Sequence, residues 1–545
     1  MKHTHIYIYI NTMSFTTKDV DENQLRVAII GGSLGGLNCA QALRSIANCN
    51  VKIFERSETM VNSEGAGLWV QPEFESFMAR NNISNRDSFG VTPKSVAIVD
   101  TDGKIIFEAG WRGVATSWDT LYRAYRSVLP NEVYFPGHNI DTVKTVNENL
   151  VNNNNKDDEG TVTLYVDDGR TETFDLIVFS DGAASKARPA LLNTINVREE
   201  EYSGFGGYYL WRAMLPEEDI PSDIDIGSEF VWYYLRQAEG AMKQSGKIPP
   251  HVLDSSLPGT GHFIMYPVPG INGELEIGKR RLMWAWYVVP GVDDKLAKFD
   301  EVMLDIYGVK KSVSVSRGAV RPVILNRLKE IANKVLPANL AKIVNCTVDP
   351  YPQALVDTIM PQMAFQRMCI IGDAAFAARP VTGAGTTKAV INGIELARHL
   401  KGVNRQDVVE ALKKWEPEQL AIGNALVARG LNAVNGINSI DSAFPTDYKL
   451  GKLLPKPPFP VRIANIVDEY LKDPMEGHRI IRRVYDDPTF KLSRTPGFLK
   501  KEAIPGKSTT KKSNAKVGFN AAINIAARGA NDMNAFNIAG GRSRM

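Results

Sequence analysis

Gly31-Gly32-Ser33-Leu34-Gly35-Gly36 is the stretch that decides the fold. An apolar run, Arg26–Ile30, precedes it and an amphipathic run, Leu37–Ile46, follows it. That order predicts strand, tight turn and helix. Gly31 permits the turn, and Gly36 lets helix and strand pack closely. A helix starting there presents unpaired N–H groups and a partial positive charge, which suits a pyrophosphate. Ser33 stands where the middle glycine of such turns is usual. Its hydroxyl is small and can bond a phosphate oxygen. The next strand, Val51–Phe54, ends in Glu55, roughly 20 residues on, where an acid grips a ribose hydroxyl.

A second stretch, Ile371-Gly372-Asp373-Ala374-Ala375, reads as another strand ending in an acid. It runs into the turn Arg379-Pro380-Val381-Thr382-Gly383-Ala384-Gly385 and then a helix. A fold that closes on FAD from both ends needs this pair, and a plain NAD dehydrogenase does not. Between them, Asp181-Gly182-Ala183-Ala184-Ser185-Lys186-Ala187-Arg188 follows the strand Phe174–Ser180. Ser185 and Arg188 can fix that turn and shape a charged wall near the cofactor. Gly259-Thr260-Gly261 lacks a strand–turn–helix setting, so no second nucleotide domain is expected.

The 545 residues suit two or three domains. Hydrophobic content of 44% and charged content of 23% are ordinary for a soluble protein. A net charge of +3 gives no case for nucleic acid. Cys39, Cys49, Cys346 and Cys369 are scattered without metal-ligand spacing. They read as buried free thiols in a reducing compartment, with no metal site. No apolar run reaches the length of a membrane span, and a cytoplasmic location is expected.

The layout predicts an α/β fold: a discontinuous FAD-binding Rossmann-like domain, an inserted antiparallel β-sheet substrate domain and C-terminal helices. The FAD-binding pieces are placed at 24–90, 160–190 and 360–400, and the substrate domain at 91–120 and 200–355. Residues 401–500 are assigned to a C-terminal helical region. Residues 1–23 read as a disordered leader, with Met13 a candidate start, and 501–545 as a disordered basic tail. Residues 91–115 look like paired strands, and Trp118–Leu129 and 406–436 look helical. Val146–Gly160 reads as a polar hairpin loop or insertion flanked by strands, the second ending in Phe174–Phe179. Alternation in 200–350 suggests an antiparallel sheet.

The three ordered motifs carry a resemblance to the class A FAD-dependent aromatic monooxygenases, over roughly residues 24–440. Within that family the 2,6-dihydroxypyridine hydroxylase group is most similar. The features are Gly31–Gly36, Gly372-Asp373-Ala374-Ala375-Phe376 with Ala378-Arg379-Pro380, and Tyr266-Pro267-Val268-Pro269-Gly270 leading to Trp284-Ala285-Trp286-Tyr287. The resemblance implies non-covalent FAD held by Gly31, Ser33, Leu34, Gly36, Glu55, Gly65, Asp181, Asp373, Gly385 and Thr386. Glu55 would meet the adenosine ribose, Gly65–Leu68 the flavin ring and Asp373 the ribityl chain. Gly383–Thr386 would face the N1–C2=O edge, whose charge in the reduced flavin a helix N-terminus stabilises. It also implies NAD(P)H as co-substrate and ring hydroxylation by O2 through a C4a-hydroperoxyflavin. The partners implied are a small aromatic substrate and O2, with a homodimer left open. Phe376 stands where many relatives have His, Val381 where the dihydroxypyridine group often has His, and Trp118 where many have a polar residue. Trp118 is expected only to stack or pack.

On the substrate side, His251 or His262 could deprotonate a ring hydroxyl. Tyr208, Tyr209, Trp211, Trp284, Trp286 and Tyr287 could line an aromatic pocket, though alternation turns about half of them away. Arg212, Arg281 and Arg379 could orient an anion, with Arg379 preferred. Two alternatives stand beside this reading. One is a flavin-dependent halogenase, whose Trp-x-Trp-x-Ile-Pro signature Trp284–Pro290 approaches with one residue too many. The other is a flavin-binding protein without turnover.

Overall fold

The computed structural model describes residues 24–59, 67–70, 72–84, 86–110, 113–151, 160–224, 229–234, 261–288 and 295–438. Gly65, His251, the leader 1–23 and the tail 501–545 lie outside them.

In chain order the strands begin with β1 (Arg26–Ile30), β2 (Asn50–Glu55), β3 (Gly67–Val70), β4 (Ser95–Val99), β5 (Ile105–Gly110), β6 (Val114–Ser117) and β7 (Tyr134–Pro136). They continue with β8 (Val162–Tyr165), β9 (Thr171–Phe174), β10 (Leu176–Phe179), β11 (Ser203–Pro216) and β12 (Phe230–Tyr234). The last are β13 (Gly261–Val268), β14 (Arg281–Val288), β15 (Tyr351–Thr358), β16 (Ala364–Phe365) and β17 (Met368–Ile370). The helices used below are α1 (Leu34–Ile46), α2 (Pro72–Arg80), α3 (Trp118–Val128), α4 (Thr142–Val146), α5 (Ala187–Thr194), α6 (Lys295–Val302), α7 (Pro322–Val335), α8 (Ala338–Cys346), α9 (Gly385–Leu400) and α10 (Val408–Asn438).

A six-stranded sheet runs β16-β17-β10-β1-β2-β7. Its core is parallel: β1 pairs with β2 on one side and β10 on the other, and β10 pairs with β17. β10 and β17 are apolar and buried throughout, and so is β1 apart from Arg26; α1 packs on β1 and β2, and the β8–β9 hairpin packs on β1 and β10. Each chemistry-bearing turn therefore leaves the carboxyl end of a neighbouring strand, where open α/β sheets bind ligands. Helices α1 and α9 pack so closely that a Cβ on Gly393 would lie 2.9 Å from the Cα of Cys39.

A seven-stranded sheet runs β15-β11-β14-β13-β12-β4-β5. Side chains alternate across it. One face (Tyr209, Trp211, Phe263, Trp284, Trp286) is cored against α6, α7 and α8. The other (Tyr208, Leu210, Tyr266, Met283, Tyr287, Leu355) forms a separate cluster with Ala115 of β6. Trp69 of β3 packs against that cluster.

Five expectations need correction. The strand β17 ends at Ile370, and Gly372–Ala374 form a 3-10 turn, so Asp373 stands beyond the strand rather than at its end. The second sheet is mixed, since β4 joins β12 in parallel. Residues 295–346 hold three helices rather than strands. The polar segment after Val146 follows helix α4, not a strand, and opens with a π-helical turn at Asn147–Val151. Asp175 divides Phe174–Phe179, with β9 ending before it and β10 starting after it. Among the thiols, Cys39, Cys49 and Cys369 are buried as expected, and Cys346 is half-buried. No helix of the described residues is long and apolar enough to cross a membrane, and no cluster of metal-ligating side chains occurs among them.

Candidate functional site

At the first turn Gly31 has φ +107°, a conformation that favours glycine. A Cβ on Gly36 would sit 1.9 Å from the Gly31 carbonyl oxygen, so helix and turn touch there only without a side chain. The Glu55 carboxylate accepts from Gly32 N–H at 2.8 Å and from Ser57 N–H at 3.0 Å. The acid expected from its spacing is thus drawn directly to the turn. Leu34 is buried in the core, so only its backbone N–H is available to a ligand. Ser33 does not cap α1 with its side chain. Its hydroxyl accepts from Trp118 Nε1 at 3.0 Å, which corrects the expectation that Trp118 could only stack or pack.

Trp118, Tyr122 and Arg126 recur every four residues on α3 and form a wall beside the turn. Trp118 stacks on Tyr122 at 4.8 Å. Tyr122 donates to the Tyr134 hydroxyl at 3.0 Å. Arg126 lies 4.2 Å over the Tyr134 ring, and its Nη1 is buried without a hydrogen-bond partner. Sequence reading missed Arg126, although its spacing from Trp118 was the available signal.

At the second turn, both Asp181 oxygens are engaged. They accept from Ser185 Oγ at 2.7 Å and from the N–H groups of Lys186 and Ala187 at 2.8 and 3.2 Å. Asp181 therefore holds the start of α5 instead of offering a free carboxylate. Arg188 ties this turn to the next, donating to Glu199 at 2.8 Å, to the Ala183 carbonyl at 2.9 Å and to the Ala374 carbonyl at 3.0 Å.

At the third turn, Gly372 has φ +66° and Gly383 φ +60°. Asp373 is 52% exposed while its partner Lys388 is fully buried, with Nζ at 2.9 Å. Lys388 also donates to the Phe376 carbonyl. Sequence reading missed this lysine, which stands on an otherwise buried stretch of α9. Ala384 leaves the α9 N-terminus, at Gly385 and Thr386, without a side-chain cap. The neighbouring Thr387 hydroxyl is buried and unpartnered.

Two uncapped helix N-termini, an orphaned guanidinium nitrogen and a half-exposed aspartate thus converge on the carboxyl ends of β1, β2 and β17. By contrast α3 and α4 carry their own side-chain caps from Ser117 and Asp141. Free N–H groups and positive charge fit a pyrophosphate, and the acids fit sugar hydroxyls.

The cluster face of the large sheet supplies the other wall. Rings follow one another across it. Tyr208 to Tyr287 is 6.3 Å, Tyr287 to His262 4.1 Å, His262 to Trp232 5.3 Å, Trp232 to Phe230 5.9 Å and Phe230 to Tyr266 4.8 Å. Trp69 closes the series edge-on to Phe230 and Tyr266, at 5.7 and 6.4 Å. Of the six aromatics expected to line a pocket, Tyr208 and Tyr287 are on this face. Tyr209, Trp211, Trp284 and Trp286 are on the other, packed toward the helices. Trp284 Nε1 donates to Thr347 there, so the tryptophans of the halogenase-like stretch face away from this wall. Phe230, Trp232 and Tyr266 were missed, since alternation alone does not say which face is the core.

Among the polar candidates, His262 is stacked on Tyr287 and buried, and burial pushes its pKa down to about 3. A base that weak holds a phenolic proton poorly. Arg379 is buried and paired. Nε meets Asp357 at 2.9 Å, Nη2 meets it at 2.6 Å, and Nη2 also donates to the Gly206 carbonyl at 3.0 Å. Arg281 is paired with Asp119 at 3.0 Å. The preferred anion anchor, Arg379, already holds a carboxylate of its own.

A family profile described as "FAD binding domain-like" matches residues 253–357. The 2,6-dihydroxypyridine 3-monooxygenase of Paenarthrobacter nicotinovorans is 27% identical over 443 residues, which are 81% of this chain and 98% of that protein. The chloroplastic zeaxanthin epoxidase of Spinacia oleracea is 25% identical over 263 residues, 43% of this chain and 38% of that one. Among solved structures, 2,6-dihydroxypyridine-3-hydroxylase from Arthrobacter nicotinovorans superposes with a TM-score of 0.62 at 24% identity. It covers 78% of this chain and 95% of that one. A Klebsiella pneumoniae HpxO complexed with FAD and uric acid gives 0.54 at 15% identity, over 84% and 97%. These likenesses agree with the resemblance drawn from the motifs. The chain resembles the class A flavoprotein monooxygenases and the 2,6-dihydroxypyridine hydroxylase group among them. It is an FAD-dependent oxidoreductase of the monooxygenase type.

Proposed function

We propose that this FAD-dependent monooxygenase uses NAD(P)H and O2 to hydroxylate an electron-rich aromatic or N-heteroaromatic ring. The observation that carries the reading is the juxtaposition of a flavin-type turn set with an aromatic wall, joined through Trp69. A Cβ on Gly383 would lie 3.8 Å from the Trp69 ring, and that ring lies 5.7 Å from Phe230 on the large sheet.

When bound, FAD would supply hydride acceptance from NAD(P)H and the activation of O2. The chain's own residues do the rest. Gly31, Ser33, Gly36 and the backbone N–H of Leu34 would receive the pyrophosphate, and Glu55 a ribose hydroxyl. Asp373, held by Lys388, would meet the ribityl chain, and the N-terminus at Gly385 and Thr386 would face the flavin ring. Asp181 acts at one remove, by fixing the turn that Arg188 ties to Ala374. The rings from Tyr208 to Trp69 would stack the substrate and exclude water, which protects a reactive oxygen intermediate from wasteful breakdown. One nucleotide turn set agrees with a nicotinamide that visits rather than resides.

The test is NAD(P)H oxidation with and without a panel of dihydroxypyridines, hydroxybenzoates and related phenols, followed by mass analysis under labelled O2. A substrate speeds oxidation and gains one labelled oxygen atom. No stimulation across the panel, or oxygen drawn from water, would overturn the assignment.

A further inference from the structure

Arg212 is half-buried on β11 and differs from four of the buried arginines. Arg188, Arg280, Arg281 and Arg379 each lie against a carboxylate: Glu199, Glu217, Asp119 and Asp357. Arg212 lies against an amide. Its Nη1 donates to Gln353 Oε1 at 2.6 Å. Its Nε is buried with no hydrogen-bond partner. Among the described residues no carboxylate pairs with it and nothing bonds Nε or Nη2. A guanidinium nitrogen buried without a partner is costly, because that atom keeps neither water nor an acceptor.

Its place gives it a use. Arg212 alternates with Tyr208, Leu210 and Met214 along β11, on the cluster face. Its field reaches Tyr266 and Tyr287, where it opposes the rise that burial imposes on both phenols. The guanidinium is therefore set within the aromatic wall. Nη1 is spent on Gln353, which leaves Nε and Nη2 as the side fork that matches two oxygens of one anion.

We propose that the ring bound on this wall is an anion whose charged oxygen is taken by the Nε/Nη2 edge of Arg212, with Gln353 aiming that edge. This rests on the monooxygenase reading and adds the charge of the substrate to it. An anionic ring oxygen also makes the ring electron-rich without a protein base, which fits a wall whose one described histidine is a poor base. Two sources share the chemistry, a ring carboxylate filling both donors and a ring-oxygen anion taking one.

The probes are salicylate and the 2,6-dihydroxypyridine anion, each against a neutral counterpart, salicylamide and 2,6-dimethoxypyridine. Binding to the FAD-loaded full chain is followed by the change in flavin absorbance. The anions are expected to bind at least tenfold tighter than their neutral counterparts, since a charge-assisted pair is worth roughly that or more. Arg212→Gln should remove most of that preference while neutral binding changes little. If Arg212→Gln does not fold, Gln353→Glu serves. It places a carboxylate at the same hydrogen-bond distance, neutralises Arg212 in place and should abolish the anion preference. Arg212→Lys separates the sources: loss of salicylate alone marks the carboxylate, and retention of both marks the single oxygen.

Equal binding of anion and neutral form by the unaltered chain would overturn the proposal. So would no binding of either anion at millimolar concentration, or an unchanged anion preference in Gln353→Glu. The parent reading fails differently. If anions bind through Arg212 but nothing stimulates NAD(P)H oxidation, the hydroxylase assignment falls and the anion site stands. If neutral rings are hydroxylated and anions ignored, the reverse holds.

Discussion

Lys388 carries an ammonium into a fully buried position, and Asp373 and the Phe376 carbonyl receive it. Asp373→Ala therefore removes two things at once, the proposed ligand to the flavin and the counter-charge of a buried cation. The second loss should cost about 3–5 kcal/mol of stability. Adding Lys388→Met should restore most of that stability without restoring flavin occupancy, which separates the two roles. Glu55→Ala should lower flavin affinity by about 1.5–3 kcal/mol, the worth of a hydrogen bond to a charged group. Flavin content by absorbance and denaturation midpoints check both, and normal flavin content in Glu55→Ala would count against the turn assignment. His262 gives a pH prediction. The unfolded chain takes up its proton as pH falls below 6.5, whereas the folded chain resists until about 3. Acid therefore favours unfolding across that window, and the stability is present above 6.5 and lost as pH falls. At about pH 5 the penalty is about 2 kcal/mol. His262→Phe should show an acid-induced loss smaller by that amount, measured by denaturant titration at two pH values. Equal acid sensitivity would mean that the imidazole is solvated in the fold.

Elements were legible where their signals are local. β1, the turn and α1 lie in one run, and the glycines, the apolar run Arg26–Ile30 and the acid at Glu55 all speak for the same unit. The structure sharpens this into a contrast inside one turn. A Cβ at Gly36 meets the Gly31 carbonyl oxygen at 1.9 Å, whereas one at Gly35 meets only the Ala389 methyl at an ordinary 3.7 Å. Gly36→Ala should therefore cost about 1–3 kcal/mol in overpacking strain or more and release flavin. Gly35→Ala should leave both nearly unchanged. Thermal melts and flavin content decide it, and equal tolerance at the two positions would remove the close-packing role given to Gly36. Non-local pairings were illegible. Val96 pairs with Phe230 in parallel across about a quarter of the chain's length, and nothing in either segment names its partner. The helices at 295–346 were hidden by the alternating strands on both sides of them. Only the whole segment's packing against one sheet face distinguishes them.

At the scale of the molecule, the sequence held the residue types of the site but not their assignment to faces and partners. Arg212, Arg281 and Arg379 are alike in sequence. Asp357 and Asp119, brought in by other elements, compensate two of them and leave the third open. Period-two alternation separated the aromatics into two sets without saying which set met the cofactor domain, because that depends on which face α6, α7 and α8 cover. Trp69 is where the two halves meet. It sits beside the Gly383 turn and lies edge-on to Phe230 and Tyr266. A Cβ on Gly113 would fall 1.9 Å from its ring, so the chain entering β6 is also shaped around it. Under the proposed function, this geometry would make Trp69 a seal between the flavin side and the substrate wall. A seal matters because water reaching the activated oxygen diverts it to hydrogen peroxide. Trp69→Leu keeps an apolar side chain on β3 but gives up the edge-on ring contacts, worth about 0.5–1.5 kcal/mol each beyond area. The fold and its flavin turns, which do not depend on that ring, should survive. The expected outcome is flavin content close to that of the parent, NAD(P)H oxidation still stimulated by substrate, and a larger share of the consumed NAD(P)H recovered as peroxide. Peroxide assay beside product quantification reads that share directly. If coupling is unchanged while flavin is lost, Trp69 supports the cofactor turn and the seal lies elsewhere on the wall.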